Sequence, residues 1–214
     1  MHTLSTQKKW YAYCVHPPQQ TGHFFKRLNL RIIVGISGAS GAIYAIKVLE
    51  ELKKQKVETH LVVSDWGEIT IKTETSYFLE DVKSLADYYY NCKDLGAPIS
   101  SGSFPSDGMV IVPCSMKSLA GIAHGYADNL LLRAADVTIK EQRKLVLVVR
   151  ETPLNPIHLE NMLILSRIGV IIMPPVPSFY VRAQSIDDVV EQTVGKILQQ
   201  FSICIPRFQQ WGGQ

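Results

Sequence analysis

Several short stretches of this chain place hydroxyls and small residues directly between an apolar run and a helical pattern. Ile32-Ile33-Val34-Gly35-Ile36 breaks into Ser37-Gly38-Ala39-Ser40-Gly41, Glu58 to Val63 ends at Ser64, and Met109 to Val112 ends in Pro113-Cys114-Ser115-Met116-Lys117-Ser118. A buried strand that turns at once into a helix leaves unpaired N–H groups and the positive end of the helix dipole beside the turn. Such a turn seats a phosphate, and glycine lets the backbone approach it. The first turn is neither G-x-G-x-x-G nor G-x-x-x-x-G-K-[ST], so by itself it reads equally as a tight strand-to-helix connection. Ser64 by itself reads as an ordinary N-cap. Leu145 to Val149 ends in Arg150-Glu151, and the planar donors of an arginine suit a phosphate. Cys114 has no candidate base nearby and reads as a buried small hydrophobe rather than a nucleophile.

The elements that must position these residues alternate. Strands are expected at 32–36, 58–63, 109–112, 145–149 and 169–173, with helices at 42–54, from Asp65 toward Glu74-Thr75, from Leu119 to about His124, and at 155–168. Alternation of this kind predicts an α/β fold: a doubly wound, mainly parallel sheet with helices on both faces. Right-handed crossovers then bring all strand carboxyl ends to one edge, where open sheets bind ligands. Ser37, Ser40, Ser64, Ser115 and Arg150 are expected to converge there. Leu79 to Tyr89 has helical spacing, and Tyr88-Tyr89-Tyr90 reads as a packed or interface patch. Asp128 to Arg143 is helical, and its Arg133, Asp136, Lys140 and Glu141 read alone as a salt-laced surface. Ser185 caps a last helix that runs to about Phe201 and carries Lys196, a residue normally solvated in such a place.

With 214 residues, 46% hydrophobic and 19% charged, the chain fits one globular domain, drawn at 31–205. A net charge of +3 implies neither a nucleic-acid nor a membrane surface. No apolar run reaches the length of a membrane span. The four cysteines are too far apart in sequence for a zinc site or a disulfide framework, which points to a reducing, cytoplasmic compartment. Residues 1–30 are basic and acid-free with no apolar h-region, and are expected to be a disordered or adventitious extension. Residues 206–214 are expected to form a tail at a subunit interface.

The stretches GISGASGAIYA, VVSDWG, TETSY, ISSGSF, MVIVPCSMKSLAGIAHGYADNLLLRAADV, KEQRKLVLVVRETPL and IGVIIMPPVPSFY closely resemble the flavin prenyltransferase (UbiX) family, which includes subunit-B proteins of phenolic-acid decarboxylase systems. The likeness spans about residues 31–205. It implies a Rossmann-like or flavodoxin-like flavoprotein that binds FMN and assembles as a homo-oligomer, typically a dodecamer. It also implies transfer of a dimethylallyl group from dimethylallyl monophosphate to N5 and C6 of reduced FMN, with the product passed to a UbiD-type decarboxylase and no metal required. By motif, FMN would meet Gly38, Ala39, Ser40, Ser64, Ser115, Met116, Lys117, Ser118 and Arg150. The prenyl phosphate would meet Tyr180 and Lys196. Ser40, Glu74, Arg133, Lys140 and Glu151 would carry the catalysis. Lys196 stands where the family has Lys or Arg, and the N-terminal extension falls outside the pattern.

Inorganic phosphate is a modest leaving group, so cationic donors must surround it. Glu151 is expected to serve phosphate protonation or proton transfer, and Glu74 and Ser40 proton relay or positioning. A carboxylate beside phosphate oxygens should hold protons more tightly than usual. The bland alternative pairs both carboxylates with nearby Arg and Lys. Two rival functions remain: a non-catalytic FMN-binding accessory subunit, and a flavin-dependent cysteine decarboxylase. The latter carries a catalytic His after the first helix and P-x-M-N-x-x-M-W, where this chain has Pro175-Val176-Pro177-Ser178-Phe179-Tyr180.

Overall fold

The computed structural model describes residues 30–212. The extension expected over 1–30 therefore lies outside the described residues, apart from its last position. The described chain runs β1 (Arg31–Ile36), α1 (Ala42–Lys54), β2 (Glu58–Val63), α2 (Asp65–Glu74), α3 (Leu79–Ser84), β3 (Tyr88–Asn91), β4 (Gly108–Cys114), α4 (Met116–Ala123), α5 (Leu130–Lys140), β5 (Lys144–Val149), α6 (Pro156–Arg167), β6 (Ile171–Ile172) and α7 (Ile186–Gln199). Single 3₁₀ turns occur at Pro98–Ser100 and Phe179–Val181.

The strands form one parallel sheet in the order β3-β2-β1-β4-β5-β6. This is the doubly wound fold expected. The central strands are buried on both faces, which explains their nearly unbroken apolar sequences. One face buries Ile32, Val34 and Ile36 against α1 and α7; the other buries Met109, Ile111 and Leu147 against α4, α5 and α6. Strand order reverses between β1 and β4, so the turns after these two strands flank the switch point where such sheets bind ligands.

Some boundaries differ from expectation. Six strands form among the described residues rather than five, because the helix from Leu79 ends at Ser84 and Tyr88–Asn91 is an edge strand on β2. Asp87 sets its register: the carboxylate accepts from Thr59 N at 2.8 Å and from the Thr59 hydroxyl at 3.0 Å, while Asp87 N donates back to that hydroxyl. The helix expected from Leu119 begins at Met116, directly behind its Ser115 cap, and the last helix ends at Gln199.

β3 and β2 also enclose a histidine. His60 is 2% exposed, and its ring stacks on Tyr88 at 4.7 Å and on Tyr90 at 5.8 Å. Its nitrogens meet Tyr90 OH and Glu58 Oε1, each at 2.9 Å, and Glu58 is held by Arg31 at 2.6 Å. Burial is the larger influence and lowers the imidazole pKa despite the pull of Glu58. A depressed value means that the fold favours the neutral ring. Its contribution is complete above the unfolded pKa of about 6.5 and is lost as pH falls toward the folded value. Urea midpoints measured at pH 7.5 and pH 5.5 should fall more for the wild type than for His60→Phe; an equal fall would remove His60 from the acid response.

Candidate active site at the carboxyl edge of the sheet

A cleft of about 590 Å³ opens at the carboxyl edge and includes Gly38, Ser64, Ser115, Lys117 and Ser118. Three helices begin on it. Ser64 Oγ caps α2 by accepting from Gly67 N at 3.0 Å, Ser115 Oγ caps α4 by accepting from Ser118 N at 3.3 Å, and Asn129 Oδ1 caps α5 by accepting from Leu132 N at 3.0 Å. Each cap satisfies one N–H of a first turn, and the positive dipole ends of all three helices meet at the cleft, whose lining carries Asp65 and Asp128 as well as two lysines. Lys117 and Lys93 add formal charge; the latter pairs with Asp65 at 3.4 Å on the exposed rim. A concave site with convergent N–H groups, hydroxyls and lysines fits the phosphate of the expected FMN.

The first turn is built differently from expectation. Gly38 is required because a Cβ there would lie 2.3 Å from Trp66 Cβ, so α2 packs directly on the turn. Ala39 N donates to Ser37 O at 2.9 Å, closing the turn. Ser37 does not project into the crevice: it is 1% exposed, its hydroxyl donates to Pro113 O at 2.9 Å, and it accepts from Ser115 N at 2.8 Å. It ties the turn after β1 to the turn after β4. The N-terminus of α1 is likewise not open to a ligand phosphate. Gly41 N and Ala42 N donate to Glu74 Oε2 at 2.7 and 3.2 Å, so the chain's own carboxylate holds that end. The helix starts that open on the cleft are those of α2, α4 and α5, with Gly38 of the first turn beside them.

The same contacts act on the Glu74 carboxyl. Burial pushes its pKa up, but hydrogen bonds from the Ser40 side chain and from Gly41 and Ala42 N–H, with the Arg150 charge, outweigh burial and hold the carboxyl below its usual range. Ser40, Glu74 and Arg150 therefore form one connected group beside the cleft. Arg150 N donates to Cys114 O at 3.1 Å and its side chain is exposed. Glu151, also exposed, accepts from Thr152 N at 3.0 Å. Cys114 is fully buried and burial pushes its thiol up to about 12, which suits packing and not nucleophilic attack. Met116 is the first residue of α4 and packs against the core on that face.

The remaining predicted residues do not join this group within one chain. Arg133 and Lys140 lie on α5: Arg133 donates to Ser100 O at 3.2 Å and pairs with Asp136 at 2.6 Å, while Lys140 pairs with Glu141. Lys140 ends α5 just before β5 starts, at the amino edge of the sheet. Tyr180 and Lys196 lie on the opposite face, with α7. The Tyr180 hydroxyl donates to Gln209 O at 3.2 Å, and Lys196 donates to Gln199 Oε1 at 3.0 Å. The sheet separates the two pairs.

Lys93 and Asn129 border the cleft without being anticipated. Lys93 follows β3, and its rim position becomes visible only once Tyr88–Asn91 is recognised as a strand. Asn129 carries an N-cap signal before Leu130-Leu131-Leu132 that could have marked it. A second depression of about 420 Å³ between α1 and α7 lies away from the strand ends, and its charges are already paired, Lys47 with Glu50 at 2.8 Å and Arg207 with Glu191 at 2.6 Å.

A family model for flavoproteins matches residues 25–198. The mitochondrial flavin prenyltransferase PAD1 of Saccharomyces cerevisiae is 56% identical over 183 residues, 86% of this chain and 76% of its own. The crystal structure of AnUbiX (PadA1) in complex with FMN and dimethylallyl pyrophosphate superposes with a TM-score of 0.86 at 53% identity, over 87% of this chain and 99% of that one. A dodecameric FMN-dependent UbiX-like decarboxylase from Escherichia coli O157:H7 has a TM-score of 0.85 at 52% identity, over 86% of this chain and all of its own.

Proposed function

This chain belongs to the flavoprotein family and within it to the flavin prenyltransferases, and we propose that it transfers a dimethylallyl group from dimethylallyl monophosphate to reduced FMN. The observation that carries this reading is the adjacency of two unlike regions on one edge: a cleft facing three helix N-termini, and the Ser40–Glu74–Arg150 group beside it. When bound, reduced FMN supplies the nucleophilic positions, N5 and then C6.

The chain's own residues do the rest. Ser64, Ser115, Lys117 and Ser118, with the first turns of α2, α4 and α5, hold the FMN phosphate, and Lys93 adds a rim charge. Glu74, kept ionised at neutral pH by its hydrogen bonds, is assigned to accept or position a proton through the Ser40 hydroxyl. Glu151, at the carboxyl end of β5 with its carboxylate exposed, is assigned to deliver a proton to the departing phosphate. Arg133, Lys140, Tyr180 and Lys196 neutralise that phosphate as the allyl group leaves it. Because the first two lie across the sheet from the last two, the phosphate contacts must come from more than one copy of the chain. The protein therefore works as a homo-oligomer, and we take the dodecamer of the Escherichia coli relative as its assembly. A tail placed at a subunit interface agrees with Trp211, which is exposed.

We assign the product to a UbiD-type decarboxylase. No described helix is long and apolar enough to cross a membrane. Buried thiols at Cys92 and Cys114 fit the cytoplasm, which we take as the place of action.

The test is anaerobic incubation with FMN, a reductant and either dimethylallyl monophosphate or its diphosphate, followed by mass analysis of the extracted flavin. A flavin heavier by one dimethylallyl unit with the monophosphate is expected. Flavin that binds and leaves unmodified would make the protein a carrier. Product from the diphosphate alone would overturn the donor assignment.

A further inference from the structure

We propose that Gln192 is a positioning residue: it fastens the C-terminal tail to α7 and holds the Tyr180 hydroxyl so that its proton can be given to the prenyl phosphate. This rests on the proposed function and extends it to residues that no motif marks.

After α7 the chain turns back along the same helix. Phe208 lies so close to Gly195 that a Cβ there would sit 2.5 Å from Phe208 Cβ, so a side chain at 195 would displace the tail. One turn earlier on α7, Gln192 is only 7% exposed. Its Nε2 donates to Gln209 O at 2.7 Å and its Oε1 accepts from Gln209 N at 3.1 Å, which clamps one tail residue through both backbone groups. The same Nε2 reaches the Tyr180 hydroxyl at 3.3 Å. That hydroxyl donates in turn to Gln209 O at 3.2 Å, and the Trp211 ring meets the Tyr180 ring edge-on at 5.5 Å.

The donor and acceptor count gives this arrangement its meaning. A glutamine amide carries two N–H groups, one for each of its Nε2 partners, and a phenol has one proton to give. In the chain as it stands, the Tyr180 proton rests on Gln209 O. A phosphate oxygen approaching the half-exposed phenol can take that proton while Gln209 O keeps its bond from Gln192. The phenol oxygen also keeps its donor. Without Gln192, turning the proton to a phosphate would take from the Gln209 carbonyl its last side-chain donor and leave the phenol oxygen without the one that holds it.

Two measurements on the full chain test this. The first is trypsin cleavage after Arg207, an exposed residue at the tail's root, followed by mass spectrometry without flavin or substrate. Gln192→Met, which keeps the shape and removes the hydrogen bonds, should be cut about tenfold faster, and Gly195→Ala should be cut faster by an independent route. The second is steady-state prenyl transfer. Gln192→Met should raise KM for dimethylallyl monophosphate about tenfold with kcat within about twofold and FMN affinity unchanged. In a double-mutant cycle, Gln192→Met should add nothing to Tyr180→Phe, since both act through one hydroxyl. Unchanged cleavage would overturn the anchoring. Faster cleavage with an unchanged KM, or KM effects that multiply in the double variant, would reduce Gln192 to a structural role and overturn the positioning. Wild-type protein that leaves the flavin unmodified would instead overturn the proposed function, and the trypsin result would still decide the anchoring.

Discussion

Chains carrying Glu151→Gln and chains carrying Lys140→Ala, each expected to turn over about a hundredfold or more slowly than wild type, should regain activity when the two are co-expressed and assemble together. Lys140 ends α5 at the amino edge of the sheet, while Glu151 follows β5 at the carboxyl edge. One copy cannot place both on the same phosphate, so a working site takes its lysine from one copy and its glutamate from another. Random mixing then leaves about a quarter of the sites with both residues intact, as expected for a head-to-tail interface between copies. Distinct tags on the two chains would verify that mixed oligomers form. Activity no greater than that of the separate parents would place both residues in one copy's site, or one of them outside it. Glu151→Gln should retain FMN, because none of the cleft's hydroxyls or helix starts depends on it.

Glu74→Gln should cut turnover by about a hundredfold or more while leaving FMN binding largely intact. The amide keeps the shape of the carboxylate and one acceptor for Gly41 N and Ala42 N, but it carries no charge and cannot take the Ser40 proton. Stability should fall by about 0.5 kcal/mol, the low end for a charge at a helix N-terminus, since the carboxylate is exposed and solvent screens it. The acid response supplies a second reading. A carboxyl held below its usual pKa stabilises the fold above the unfolded value near 4.5 and loses that contribution as pH falls through the folded value. Glu74→Gln should flatten the stability profile in that window. Turnover within about threefold of wild type would remove the proton-accepting role and leave Glu74 as a cap on α1.

Much of this was legible in the amino-acid sequence because its cause is local. β1, β4 and β5 are buried on both faces, and burial of that kind writes an unbroken apolar run. Ser64, Ser115 and Ser185 each sit one residue before a helix and cap it, a relation spanning three residues. β3 was not legible, since four edge residues with one tyrosine face outward show neither a run nor a clean alternation.

Only the tertiary structure could distinguish Ser37 from Ser40. Both are serines of one turn, but Ser37 bonds Pro113 across 76 residues because β4 lies beside β1, and that neighbour turns a candidate ligand contact into an internal tie. The same holds for Glu74, which reaches back 33 residues to occupy the helix start that otherwise looked open to a phosphate. Local propensities set the strands, helices and caps. Which hydroxyls face the cleft and which carboxylate holds the start of α1 depend on contacts between segments far apart in the chain.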